Sequence, residues 1–276
     1  MGPSAIRYAG LAARIRELGR ECVDLGNVQT AVAEAAPVGD TRTRYLREIL
    51  TACGRVAERV TGARDEGRMP LVLGGDHSVA LGTLGGLVDG DGPGGVLWID
   101  AHGDLNRPET SPSGNVHGMV LAAAMGLAGP AFGGSDVRIP SVDPSRVALV
   151  GVRSLDDGER GLLRDMDAAV FTMSDIDRLG IEHAITEALA KIDGPGFVHV
   201  SLDMDALDPM EAPGVGTPVS GGLTFREAHL LMETLADTGK VSSLDIVEVN
   251  PILDDRNRTA RLAVDLASSL FGQRII

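Results

Sequence analysis

Six strand-length apolar runs recur along the chain: MPLVLGG (69–75), GGVLWID (94–100), VALVGVR (147–153), AAVFTM (168–173), FVHVSLD (197–203) and SLDIVEV (243–249). Their apolar residues are nearly continuous rather than alternating, the pattern of strands covered on both faces. Between them, residues 43–67, 182–192 and 224–239 repeat apolar side chains every three or four positions, the period of an amphipathic helix. Thr224, with Glu227 three residues on, has the spacing of an N-terminal capping box. Strand and helix in alternation predict an α/β chain built on a parallel sheet. No internal repeat or linker interrupts it, so a single domain over residues 1–276 is expected. The Gly-rich segment 84–95 reads as a surface loop, and it lacks the GxGxxG spacing of a dinucleotide site.

Composition narrows the partners. A hydrophobic fraction of 43% supports a packed core, and with only 3% aromatic residues that core is mainly Leu, Val, Ile and Ala. A formal net charge of −14 disfavours nucleic acid and anionic membranes and suits a cationic small molecule. No apolar run reaches membrane-spanning length, and no secretory signal is visible at the N-terminus. Met-Gly opens the chain, but Ile6 stands where a myristoylation signal needs Ser or Thr. Cys22 and Cys53 form no CxxC pair and read as reduced thiols of a cytoplasmic protein.

Each unusual polar cluster falls at the end of an apolar run: Asp76 and His77; Asp100, His102 and Asp104; Asp203, Asp205 and Asp208. In open parallel sheets, ligands bind beyond the carboxyl ends of the strands, so three clusters there predict one convergent site. In extended chain, residues i, i+2 and i+4 project to one side, which would aim Asp100, His102 and Asp104 at a common point, and Asp203 with Asp205. So many carboxylates crowd together only if a multivalent cation removes their repulsion. Oxygen donors with a few imidazoles suit Mn²⁺ or Mg²⁺, and the number of donors exceeds one divalent site but fits two ions sharing carboxylates. Any one fragment alone reads as a turn or a helix cap. All three at successive strand ends do not.

At these residues the chain resembles the ureohydrolase superfamily and, within it, the arginase family. The resemblance rests on GGDHS (74–78), DAHGDLN (100–106), SPSGNVHGM (111–119), GVR (151–153), DIDRLGI (175–181), SLDMDALDP (201–209), GVGTPVSGGLTFRE (214–227) and VEVNP (247–251). It implies a three-layer α/β/α sandwich around a mostly parallel sheet, assembled as a homotrimer or homohexamer. It also implies two Mn²⁺ per subunit: His77, Asp100, Asp104 and Asp203 at one, and His102, Asp100, Asp203 and Asp205 at the other. Asp100 and Asp203 would bridge. The implied reaction is hydrolysis of L-arginine to L-ornithine and urea by a hydroxide held between the ions. His117 would shuttle the proton, Glu248 would balance the guanidinium, and Asp104 would serve both metal and chemistry. Asn106, Ser113 and Asn115 would meet the substrate α-carboxylate, with Ser111 acting through water. Asp156 and Glu159 would face its α-ammonium, and Thr217 and Asp208 would support the site. The family opens with a strand that precedes GPSAIRYAGL; here that phrase begins at Gly2, so the first strand is expected to be missing and the sheet interior to be short of a member. Val120 and Ser154 replace residues more usual in relatives. Alternatives are a ureohydrolase acting on agmatine or guanidinobutyrate, and an inactive metal-binding homologue.

Overall fold

The computed structural model describes residues 1–91, 94–133 and 139–274. Its strands are β1 (Leu71–Leu73), β2 (Gly95–Ile99), β3 (Val147–Val152), β4 (Ala169–Thr172), β5 (Val198–Asp203) and β6 (Ser243–Val247). Each falls inside one of the six apolar runs. They form one sheet in the order β1-β6-β5-β2-β3-β4, with every neighbouring pair parallel. Short helices α1 (Gly2–Tyr8) and α2 (Leu11–Glu17) precede α3 (Leu46–Asp65) and α4 (Ala80–Asp91). After β2 come α5 (Val120–Ala124), α6 (Asp157–Asp165), α7 (Met173–Leu179), α8 (Ile181–Ile192), α9 (Phe225–Thr238) and α10 (Arg258–Leu270). The capping box forms as the sequence predicts, with Thr224 Oγ1 and the Glu227 carboxylate closing the first turn of α9.

The side-chain period of two divides the core between the faces of the sheet. Leu97 and Ile99 of β2 join Val200 and Leu202 of β5 under α8, α9 and α10. Val96 and Trp98 point the other way, into a second core with Leu50, Val56 and Val60 of α3 and Leu81 and Leu84 of α4. Helix, sheet and helix are the three layers. No helix among the described residues is long and apolar enough to cross a membrane.

Two expectations change. Most of segment 84–95 is helix, not loop: α4 runs through Asp91, and residues 92–93 lie outside the described residues. Its glycines are there for contact. A Cβ on Gly82 would stand 2.6 Å from the Cys53 carbonyl, and one on Gly86 would stand 2.6 Å from that of Ala57. Glycine four residues apart lets α4 lie directly on α3, and that packing outweighs glycine's low helix propensity. The sheet is also unbroken across its six strands. β1, with three residues, is an edge strand paired only to β6 among the described residues, so no interior position stands open. α1 covers that corner: Gly2 backs onto the Val249 and Gly74 carbonyls, and Asn257 Nδ2 donates to the Ala5 carbonyl at 3.0 Å. Both cysteines are free, and burial pushes the Cys53 thiol up to about 12.

Candidate metal site

Three strand ends lead into the same turn. After β1, Asp76 accepts the Ser78 N–H at 3.1 Å. After β2, Asp100 Oδ1 accepts the His102 N–H at 2.7 Å, and after β5, Asp203 Oδ1 accepts the Asp205 N–H at 2.7 Å. A carboxylate that takes the N–H two residues on makes an Asx turn and satisfies a donor that the ending strand leaves free. The extended geometry expected for 100–104 and 203–205 is therefore not what aims these side chains. Turns do it, and Asp104 completes the first by adopting a left-handed backbone at φ 52°. Capping and convergence coexist: Asp203 takes its turn N–H on Oδ1 and turns Oδ2 to His77, while Asp100 turns Oδ2 to His77 and Oδ1, the oxygen that also takes its turn N–H, to His102.

The carboxylate oxygens converge. His77 Nδ1 lies 3.2 Å from Asp100 Oδ2, 3.1 Å from Asp104 Oδ2 and 3.2 Å from Asp203 Oδ2. His102 Nδ1 lies 3.4 Å from Asp100 Oδ1 and 3.1 Å from Asp205 Oδ2. His77–Asp100–Asp203 and Asp100–His102–Asp205 each bring their ligand atoms within 4.8 Å of one another, and Asp100 belongs to both with one oxygen turned to each histidine. Asp203 meets His77, while its expected second role as a bridge has no counterpart among these contacts. Most of these side chains are buried; His77 and Asp100 are each 1% exposed.

Two atoms test whether cations fit. His77 Nδ1 and Asp104 Oδ2 are buried and make no hydrogen bond, although carboxylate oxygens surround the nitrogen. Donor atoms gathered around one point without hydrogen-bond alignment are arranged as ligands are. The electrostatics agree. Burial alone would push both imidazoles down, but the carboxylates around them outweigh it, holding His77 well above its ordinary value and His102 at about 11. Burial, reinforced by neighbouring carboxylate charge, pushes Asp203 well up, raises Asp205 and takes Asp104 to about 7. Burial opposes ionisation of Asp100 too, yet His102 and His77 hold it below the usual carboxylate range. Protons are thus shared among groups whose mutual repulsion a multivalent cation would remove.

Beside this cluster, Glu248 Oε1 accepts the His77 N–H at 2.9 Å and lies 3.1 Å from His117 Nδ1. Glu248 also has a left-handed backbone, φ 64°, which turns its side chain off the end of β6 toward the site. That carboxylate, more than burial opposes it, holds His117 at about 9.

The remaining residues divide. Asn106 Nδ2 donates to Asp156 Oδ2 at 2.8 Å, joining two of the expected substrate contacts. Ser113 and Asn115 are exposed on the 111–115 loop, where Ser113 Oγ accepts the Asn115 N–H and Ser111 Oγ the Gly114 N–H. Glu159 differs from expectation: it is buried, and its two oxygens accept the Leu105 and Asp156 N–H groups at 3.0 and 2.8 Å. It fastens α6 to the turn after β2, a use that its expected contact with the substrate ammonium did not foresee. Thr217, expected at the substrate, donates to Asp205 Oδ2 at 2.9 Å. Asp208 accepts the Met210, Gly221 and Gly222 N–H groups and organises its own loop. Val120 opens α5 as a fully buried residue, and Ser154 bonds through its backbone to the Ala101 carbonyl.

Three residues that bear on the site went unread in the sequence. Ser201 Oγ meets His77 Nε2 at 2.7 Å, and Trp98 stacks on the His77 ring. Both precede a site aspartate by two residues, so strand periodicity could have found them. Arg153 sends its guanidinium into the carbonyls of Asp205, Ala206, Leu207 and Val219, locking the turn after β5.

The arginase family profile matches residues 1–272. The chain belongs to the arginase family. It is 49% identical to the arginase of Bacillus caldovelox and 45% identical to that of Bacillus subtilis strain 168, covering 100% of this chain and 93% of each relative. The native Bacillus caldovelox arginase structure at pH 5.6 superposes with a TM-score of 0.96 at 48% identity, covering 100% of this chain and 93% of that one. The arginase family has a binuclear metal site, and in this chain Asp100 is the one carboxylate placed between both histidines.

Proposed function

We propose that this chain hydrolyses L-arginine to L-ornithine and urea, with Mn²⁺ as its metal. The observation that carries the reading is the pair of ligand groups joined through Asp100, 3.1 Å or a little more between donor atoms, with the His117–Glu248 pair beside them. His77, Asp100, Asp104 and Asp203 would hold one ion, and Asp100, His102, Asp203 and Asp205 the other. An oxygen-rich donor set with two imidazoles and no thiolate favours Mn²⁺ over Zn²⁺. What bound divalent cations supply there is acidity: water ionised near neutral pH.

The chain's own residues account for the rest. The guanidinium stays protonated in any ordinary buffer and its carbon is a poor electrophile. Glu248 balances its charge beside the cluster. The water oxygen adds to the guanidinium carbon, with the Asp104 carboxylate in the cluster to take its first proton. As the bond from that carbon to the δ-nitrogen breaks, the proton still on the added oxygen passes to that nitrogen, so the carbon leaves in neutral urea and the nitrogen departs as ornithine's amine, which then takes up a further proton. His117 is protonated at neutral pH because of Glu248 and can deliver it. At the other end, Asn106, Ser113 and Asn115 offer neutral donors to an α-carboxylate and Asp156 an acceptor to an α-ammonium. Polar contacts of that kind reject a substrate lacking the group.

Assembly as a homotrimer or homohexamer is part of the proposal, supported by the exposed apolar side chains Met210, Ile252 and Leu253 and tested by light scattering. The deciding experiment measures urea release from arginine and from agmatine, with and without Mn²⁺ preincubation. Mn²⁺-dependent release that is faster from arginine is expected. Faster release from agmatine, or none from either with Mn²⁺ fully bound, rejects the reading.

A further inference from the structure

Trp98 is the chain's single tryptophan and is fully buried on the face of β2 that carries Asp100. Its ring lies flat on the His77 imidazole, with centroids 3.9 Å apart and an interplanar angle of 6°. Its indole N–H donates to Asp100 Oδ2 at 3.1 Å, the oxygen that stands 3.2 Å from His77 Nδ1. One side chain therefore touches two residues of the same ligand group, and touches them through different chemistry. The stack fixes the plane of the imidazole, and the N–H fixes the rotation of the carboxylate. Ser201 Oγ holds the imidazole at Nε2, which leaves Nδ1 to face Asp104 and Asp203. The His102 N–H holds the other oxygen of Asp100.

We propose that Trp98 is a positioning residue for the His77 group: it sets the affinity of that group for its cation, and its emission reports the cation's arrival. The proposal rests on the reading that the cluster holds two divalent ions. A dispersed hydrophobic role would need only the volume of the indole. The geometry here uses the ring plane and the N–H separately, so the two can be removed one at a time. Partners that orient a metal ligand from behind typically change affinity by about 10- to 100-fold when lost.

The test is a Mn²⁺ titration of the metal-free protein, followed by calorimetry and by the electron paramagnetic resonance of free Mn²⁺, in the wild type, W98F and W98L. Far-ultraviolet circular dichroism and metal-free melting temperatures accompany each. W98F keeps a flat ring on His77 and loses the N–H. It is expected to bind the ion of the His77 group about tenfold less well, and the ion at His102 and Asp205, which shares Asp100 through the oxygen that the His102 N–H still holds, with a smaller loss. W98L loses both functions and is expected to bind the ion of the His77 group about 100-fold less well. Because W98L leaves a core cavity, a failure to fold in that variant shifts the decision to W98F and to the wild-type emission. Tryptophan emission of the wild type is expected to be quenched by one equivalent of Mn²⁺ and to change little with the other, because only the His77 group, on which the ring is stacked, would bring its ion close to the indole. W98F that binds both ions like the wild type, together with wild-type emission that ignores Mn²⁺, overturns the proposal alone. A wild type that takes up no Mn²⁺ overturns the metal reading beneath it, and the proposal with it.

Discussion

The two ends of the candidate site are built differently. At the metal end, His77, Asp100, Asp203 and Asp205 are almost wholly buried, and Asp100 and Asp203 are each held by a turn N–H while they face the cluster. At the substrate end, Ser113, Asn115 and Asp156 are exposed and sit on loops. The serine hydroxyls there accept N–H groups of their own loop rather than anything in the sheet. That loop is still anchored: Gly114, at φ 69°, presses against residue 41 so closely that a Cβ would meet the Thr41 carbonyl at 1.9 Å, and its own carbonyl accepts the Arg44 N–H at 2.9 Å. On the proposed reading the sheet would fix the chemistry, and a loop held by its backbone would carry the selectivity. Changes at the first end should act on turnover and metal content, and changes at the second on which substrate is taken.

The largest effect is expected from His102→Ala. The His102 side chain is 27% exposed against 1% for His77, so its loss should spare the fold. Activity should fall by about 10³-fold or more, beyond the 10–100-fold typical of residues that only support a ligand. Elemental analysis should find about one Mn²⁺ per chain in place of two. Full metal content with unchanged turnover would remove His102 from the site.

Next comes the proton-handling pair. His117→Asn should lower kcat by about 10²–10⁴-fold with KM little changed, as expected for loss of a general acid. Glu248→Gln gives the sharper measurement. The Glu248 carboxylate holds His117 at about 9, so the wild-type rate should fall on the alkaline side as pH passes through that value. Without the charge, the His117 imidazole returns toward its ordinary range and the alkaline limb should move to lower pH. An alkaline limb that stays put in Glu248→Gln shows that another group controls it.

At the loop end, Asn115→Ala should raise KM for arginine about tenfold, roughly one lost hydrogen bond to a charged group, and leave kcat near the wild-type value. Its rate on agmatine, which has no carboxylate to lose, should not change. If the two substrates suffer equally, the contrast between the ends of the site is drawn in the wrong place.

Much of this was legible before any coordinates. Six apolar runs gave six strands because a buried parallel strand needs continuous apolar sequence, and the polar clusters marked their ends because that is where a strand leaves the core. What was hidden follows from tertiary contact. Segment 84–95 carries loop-like glycines, and only the approach of α3 explains Gly86, like Gly82 one turn before it, in a helix. The convergence of Asp100, His102 and Asp104 looked like strand geometry, whereas turns and the left-handed Asp104 produce it. Glu159 matched a substrate position, but a carboxylate is equally suited to taking two backbone N–H groups, and sequence does not distinguish the two uses. Trp98 and Ser201 were concealed inside strands read only for their hydrophobicity.

The smallest expected effect lies under the metal end, where β5 and β6 carry His199, Ser201, Ser243 and Asp245, all fully buried. His199 Nδ1 meets Ser243 Oγ at 2.8 Å, and its Nε2 stands 3.6 Å from Asp245 Oδ2. Burial pushes Asp245 up to about 7 and His199 down to about 3, so both are neutral at mildly acidic pH and the floor beneath the charged cluster is uncharged there. The linkage has a sign. The folded Asp245 keeps a proton that the unfolded chain gives up from about pH 4, so stability from this group is present at low pH and lost as pH rises to about 7. Asp245→Asn should therefore match the wild type near pH 4 and exceed it at pH 8 by about 1 kcal/mol, less than the full linkage because a buried amide has its own desolvation penalty. Urea denaturation of the metal-free protein at the two pH values checks this, and stability curves that stay parallel would mean that Asp245 is ionised in the fold. Urea release with Mn²⁺ bound should be unaffected, since Asp245 touches neither the ligand groups nor the 111–115 loop.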